Sequence, residues 1–297
     1  MNTRFIEEKA KSKFNLNFIT SPLMGIVLLT IGEIAGLIFL MPLTLSFLLP
    51  LDPFSTLVLN LFNFAFIALA VILWARFVEK SPLMGLGFTR KHAFRDFLIG
   101  WGLGGAMLTL CVLIMMVLGV VTISDFQFSS EQFLQFFILI LAWSVQGTTE
   151  EILTRGWMLP SIANKNNIPV AILVSSLFFT AIHIGNNGIS ILPLIDLLLF
   201  AILACLLMLK TGNIWVISGW HAAWNCFQGN VFNFPVSGTE TGQGFIQVYT
   251  QGPEWLSGGQ FGVEGSIVSV LVQLLIICWL TYDLYFKHKQ LRKTDAY

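Results

Sequence analysis

The sequence predicts an all-α, polytopic membrane protein of about eight transmembrane helices, and three observations predict it. The 297 residues are 56% hydrophobic and 11% charged, with a mean hydropathy of +0.79. A soluble domain carries about a quarter of its residues as Asp, Glu, Lys and Arg, so this chain cannot coat a globule with polar surface. Apolar stretches recur along the whole length, and the basic residues fall into alternate connections between them.

The elements follow in order. The first stretch, 20–49, comes after a hydrophilic start carrying Arg4, Lys9, Lys11 and Lys13. It is much longer than the apolar core of a cleavable signal and no small-residue cleavage site follows, so an anchor is expected. Further stretches lie at 56–76, 97–121, 131–159, 168–186, 190–209, 213–234 and 265–285, of which 168–186 and 213–234 are short or polar for a span. Helices are expected throughout, because backbone amides in hydrocarbon must pair within the segment and no barrel-like alternation is present. The basic, mildly amphipathic segment 77–96 fits either a surface-lying stretch or a solvated loop. Residues 235–264 form a long Gly-rich loop whose Trp255 and Phe261 suggest a folded cap on the outer face. The organisation expected is one membrane domain over 1–297, with 131–230 as its chemical core and 235–264 as an extracytoplasmic loop.

Charge placement orients the chain. Arg4 to Lys13, then Arg76 to Arg95, Lys165, Lys210 and Lys287 to Lys293 account for fifteen of the sixteen basic residues, and all are cytoplasmic if both termini are. The opposite connections, near 50–55, 122–130, 187–189 and 235–264, hold Asp52, Asp125, Glu240, Glu254 and Glu264 but no Lys or Arg. An odd number of spans would break this agreement. The net charge of zero gives no footing for nucleic-acid binding. Cys111, Cys205, Cys226 and Cys278 are scattered without metal or redox spacing and read as small hydrophobes. No internal repeat suggests an inverted-repeat carrier.

Ionisable side chains inside spans are costly and mark function by default. They concentrate in three groups: Glu150, Glu151 and Arg155; Phe179 and His183; His221 and Asn225. Glu151 and Arg155 are four apart with the acid first, the favoured order for a pair on one helix face. Glu150 points about 100° away and is freer to act as a base. His221 and Asn225, also four apart, share one stripe and suit stabilisation of an oxyanion. Phe179 lies one turn before His183 and can wall the site against water. Glu150 with His183 would activate a water, while Glu151 and Arg155 set the geometry. A catalytic Zn or other divalent ion on Glu150, His183 and His221 is the alternative chemistry, although no H-E-x-x-H is present. Glu33 and Asp196 read as packing or proton-sharing groups.

At these residues the chain resembles the CPBP family of intramembrane proteases, also called the Abi family, which groups type II CAAX prenyl endopeptidases with bacteriocin-processing and immunity proteins. The pattern E-E-x-x-x-R, F-x-x-x-H, H-x-x-x-N is matched at Glu150, Glu151, Arg155, Phe179, His183, His221 and Asn225, and Thr211 to Trp215 is similar to the lead-in to the third motif. The resemblance implies a helical fold of about eight transmembrane helices around a recessed polar cavity and endopeptidase activity, with Glu150 as water activator and dependence on both His and the Asn. It leaves open whether a metal takes part, and it does not imply prenylated substrates. The implied partners are the lipid bilayer and a peptide or protein at the membrane, the implied location the plasma membrane of a prokaryote. A proton-coupled transporter, relaying protons through the same acids and His183, and a catalytically silent scaffold or immunity protein fit the same residues. Counted from the cytoplasmic ends at ~1.5 Å per residue, Glu150 lies ~15 Å deep, His221 ~12 Å, Asn225 ~18 Å and His183 ~24 Å. A mid-membrane site reached by a water-filled cavity opening to the cytoplasm is therefore expected.

Overall fold

The computed structural model describes residues 1–46, 52–242 and 244–287. The end of the first apolar stretch and the basic residues Lys289, Arg292 and Lys293 lie outside the described residues. In order, the elements are α1 (Arg4–Ala10), α2 (Thr20–Ser46), α3 (Pro53–Leu73), α4 (Ala93–Val117), β1 (Val121–Phe126), α5 (Ser130–Glu151), α6 (Leu159–Lys165), α7 (Ile168–Ala181), α8 (Ile191–Thr211), α9 (Trp215–Cys226), β2 (Ile246–Thr250), α10 (Glu254–Ser257) and α11 (Ile267–Thr281). The architecture is all-helical apart from the antiparallel pair β1 and β2, which joins the 118–129 connection to the Gly-rich loop. Each expected apolar stretch holds a helix. Polar side chains cap their starts: Asp52 accepts from Ser55 N at 3.0 Å, Asn167 from Val170 N at 2.9 Å and Ser266 from Ser269 N at 3.2 Å.

Among the described residues six helical stretches are long and apolar enough to cross a membrane, and α7 is a shorter apolar helix. The expectation of eight full-length spans is thus met only in part. The 14-residue α7 is only ~21 Å long at ~1.5 Å per residue, against a hydrocarbon core of ~30 Å. It stops at Ala181 rather than 186, so His183 sits in the turn beyond it. Helix α9 carries Ser218, His221 and Asn225, yet residues 216–226 are all buried. A helix sheathed by protein needs neither lipid-matching length nor an apolar surface.

The connections sort into two ends. At one end Asn2 N bonds Leu209 O, Lys13 N bonds Glu79 O, Asn164 Nδ2 bonds Ile6 O and Ile214 N bonds Gly87 O. This end gathers the basic connections. Segment 77–96 packs onto the protein while Phe77, Leu83 and Phe94 stay exposed. Its single tight turn at Leu83–Leu86 and the left-handed Gly87 pack against α1 and the start of α9. At the other end Asn186 Nδ2 bonds Ser237 O at 2.8 Å and β1 pairs with β2. The expected cap is formed there, with Phe261 fully buried, although Trp255 is exposed. Of the cysteines, Cys111, Cys205 and Cys226 are buried as expected, whereas Cys278 is exposed.

Helix α2 leans on α3 through Gly32 and Gly36. A Cβ at Gly32 would stand 2.4 Å from the Ile67 Cα, and one at Gly36 1.9 Å from Asn63 Oδ1. Small residues four apart let two backbones approach inside a membrane. Gly32→Leu is expected to lower stability by about 1–3 kcal/mol, because the obstructing atoms are backbone. Thermal unfolding in detergent checks this against Gly102→Ala, where a Cβ meets nothing within 4 Å and no loss is expected.

Candidate active site

Glu150 and Glu151 end α5, where the helix widens into a π turn at Ile152–Met158 before α6. Pro160 has no N–H to offer the Gly156 carbonyl, and a widened turn accommodates its ring. Within that turn Arg155 Nη1 lies 3.2 Å from Glu151 Oε1, both side chains fully buried, so the paired face read from the spacing is present. The same carboxylate oxygen is 2.9 Å from His221 Nδ1. Since Glu151 is an acceptor held by a guanidinium, Nδ1 donates its hydrogen, and the ring's Nε2 turns toward Glu150. Nε2 stands 3.6 Å from Glu150 Oε2, beyond direct hydrogen bonding.

Glu150 is 9% exposed and is held from the other side. Gln146 Nε2 donates to its Oε1 at 2.8 Å, and Asn225 Nδ2 donates to Gln146 Oε1 at 2.9 Å. Gln146 therefore couples the first motif to the third. It was not among the residues singled out from the sequence. Its one signal is its place one helical turn before Glu150, just after the apolar run 136–143. Among the described residues Glu150 Oε2 has no hydrogen-bond partner. Gln146→Leu is expected to lower any hydrolytic turnover by roughly 10- to 100-fold, since a hydrogen bond to a charged group is worth about 1.5–3 kcal/mol. The check is the rate of peptide cleavage with unfolding temperature measured in parallel.

His183 donates Nδ1–H to the Phe179 carbonyl at 2.7 Å, because a carbonyl can only accept. That leaves the lone pair of a neutral ring on Nε2. No hydrogen bond or ion pair joins His183 to Glu150 among the described residues. Phe179 walls the group as expected. Its ring centroid is 4.7 Å from that of His183 and 6.0 Å from that of His221, and the Arg155 guanidinium sits 4.6 Å above its face. Phe200 of α8, not anticipated, packs edge-on against His221 at 4.9 Å.

Glu150, His183, His221 and Asn225 share the wall of one cavity of about 560 Å³, whose lining is mixed apolar and polar. Glu33, Asp196 and Glu264 also line it. Glu264 is buried beneath the cap, accepting from Trp224 Nε1 at 3.0 Å and from Ser237 N and Oγ at 2.8 Å each. Burial raises its carboxyl above the ordinary range, while those donors and nearby His183 hold it down. The walls run out to Asn186, Val236, Ser237 and Thr239, and none of the lining residues belongs to the basic connections. Helix α7 is short and places His183 past its terminus, beside the segment that carries Ser237.

A catalytic metal would need Glu150, His183 and His221 to converge as ligands. Among the described residues no three His, Cys, Asp or Glu side chains are grouped to hold an ion. His221 Nδ1 is engaged by Glu151 and His183 Nδ1 by a carbonyl. Both contacts leave Nε2 as the free ring nitrogen, as in imidazoles that ligate a metal.

An all-helical membrane bundle that gathers a buried carboxylate, one buried and one half-buried imidazole and a buried carboxamide around one cavity is consistent with the catalytic core of an intramembrane hydrolase. Residues 132–227 match the type II CAAX prenyl endopeptidase Rce1-like family and form a CAAX-protease domain of the CPBP or Abi type. All seven motif residues fall inside that stretch. No curated protein matches the chain.

Proposed function

We propose that this protein is an intramembrane endopeptidase that hydrolyses peptide bonds of membrane-associated or lipidated peptides and proteins, with Glu150 as the group that activates water. The observation that carries the reading is the unpartnered Glu150 Oε2, buried and in the wall of a cavity shared with His183, His221 and Asn225. Water would give a proton to Glu150, assisted by the Nε2 lone pair of His183, and its oxygen would add to the substrate carbonyl carbon. The second N–H of the Asn225 amide would hold the resulting oxyanion. His221 can join it only with both ring nitrogens protonated, because Nδ1 already serves Glu151. Collapse would break the C–N bond and pass the proton to the departing amine nitrogen. Glu151 and Arg155 act through His221 as positioning residues.

The reading includes eight membrane crossings in one domain over 1–297, with 131–230 as catalytic core, both termini cytoplasmic and the 235–264 loop outside, in the plasma membrane of a prokaryote. Charge sidedness supports it: the basic connections meet at one end, and Val236, Ser237 and Thr239 of the opposite end line the cavity. Substrate would then reach the site from the outer face.

The test is incubation of purified protein with a peptide library, with and without chelator, comparing wild type, Glu150→Gln and Asn225→Ala. Cleavage by wild type that disappears in both variants at retained thermal stability is the expected result. Cleavage persisting in Glu150→Gln would remove Glu150 as the water activator. Substrate flux in liposomes without any cleavage would favour a transporter.

A further inference from the structure

A second cavity, of about 580 Å³, lies in the groove between α2 and α3, and Glu33, Asn60 and Phe64 line both it and the cavity that holds Glu150. Its flanks are apolar, with Leu37 63% and Ile38 66% exposed where lipid would stand. Asn60 is exposed, and its carboxamide has no hydrogen bond among the described residues. Glu33 is half-buried, and the one hydrogen bond it makes there comes from Asn63 Nδ2 at 3.1 Å. At ~1.5 Å per residue, Glu33 stands ~20 Å along α2 from Thr20 and Asn60 ~10 Å along α3 from Pro53. Both depths fall inside a hydrocarbon layer of ~30 Å. An unpaired carboxamide at such a depth is costly, which favours a partner that arrives from outside the chain.

Resting on the protease reading above, we infer that Asn60 and Glu33 bind the unwound backbone of a membrane-embedded substrate segment, which enters the catalytic cavity sideways along the groove between α2 and α3. A peptide bond inside a helix is shielded, and freeing it strips the neighbouring N–H and C=O groups of their helical partners. In hydrocarbon no water makes good that loss. The Asn60 carboxamide offers both donors and an acceptor, the same chemistry as the peptide groups left unpaired, and the Glu33 carboxyl accepts an N–H. Neither group reads a side chain, so the preference is for an apolar segment that can be held extended, whatever its order of residues. Leu37, Ile38 and Leu59 flank its side chains. Because Asn60 and Glu33 also line the main cavity, a segment held by them leads on toward the wall that carries Glu150. Asn60 and Glu33 are substrate-binding residues in this arrangement and take no part in proton transfer to the scissile bond.

The experiment measures binding separately from turnover. Full-length Glu150→Gln protein in phosphatidylcholine nanodiscs is titrated with two N-acetylated fluorescent peptides of the same apolar composition. One carries a central Gly-Pro pair that breaks its helix, and the other carries that pair at its end. The broken peptide is expected to bind about tenfold more tightly than the unbroken one. That preference is expected to fall about threefold or more when Asn60→Leu or Glu33→Leu is added, at unchanged affinity for the unbroken peptide. Asn60→Leu only makes an exposed position more apolar, so the fold is retained. A photo-crosslinker at Ile38 is expected to capture the broken peptide, and one at Leu110, exposed on α4, is not. Equal affinities, no binding of either peptide, a preference untouched by both substitutions, or equal capture at the two positions would overturn the inference. Wild-type cleavage of the broken peptide separates the two readings. Preference without cleavage keeps the groove and removes the protease; cleavage with equal affinities does the reverse.

Discussion

Glu150→Gln is expected to lower peptide hydrolysis by about 10²- to 10⁴-fold, the usual contribution of a positioned general base. The substitution keeps the shape of the side chain and its ability to pair with Gln146, so the link from Gln146 to Asn225 survives. What it removes is the acceptor that takes the proton of water. It also removes a buried negative charge 3.6 Å from His221, so the folded protein should be no less stable than the wild type. Turnover and unfolding temperature measured on one preparation separate the two effects. A loss of turnover with an equal loss of stability would point instead to a packing role.

Glu79→Ala is expected to cost about 3–5 kcal/mol of stability, the usual penalty for leaving a buried charge without its partner. Glu79 is fully buried at the basic end, where it pairs with Lys9 and accepts from the Nε1 groups of Trp74 and Trp157 at 3.0 Å each. Burial pushes the Lys9 amine down, and Glu79 draws it back up. Without Glu79, Lys9 is stranded and two indole N–H groups lose their acceptor. Removing the amine as well, in Lys9→Met with Glu79→Ala, should recover part of the loss, because no uncompensated charge remains. Thermal unfolding of the single and double variants in detergent reads the difference. Trp157 lies in the π turn that carries Arg155, so the single variant should also loosen the support of Glu151 and His221.

The distribution of this information along the chain has a physical basis. The apolar stretches were legible because a bilayer demands long runs of apolar residues whatever their partners are. Lys9 shows the limit of that reading. In one dimension it is one more basic residue before the first span, and only the fold shows it sealed beneath α1 against a carboxylate seventy residues away. Gln146 was missed for a related reason. Glutamine is unremarkable by composition, and its importance comes from Asn225 arriving on another helix.

The amino-acid sequence by itself determined that the chain is helical and membrane-embedded, that its basic connections alternate, and that Glu150, Glu151, Arg155, His183, His221 and Asn225 stand out from apolar surroundings. Burial cost and helical spacing act on each segment alone, so these features need no knowledge of neighbours. Tertiary contacts alone settle that α7 ends before His183, that Gln146 ties Glu150 to Asn225, and that His221 leans on Glu151. Each of these depends on which helices touch. Nearly uniform apolar helices show too little contrast between their faces to reveal that from sequence.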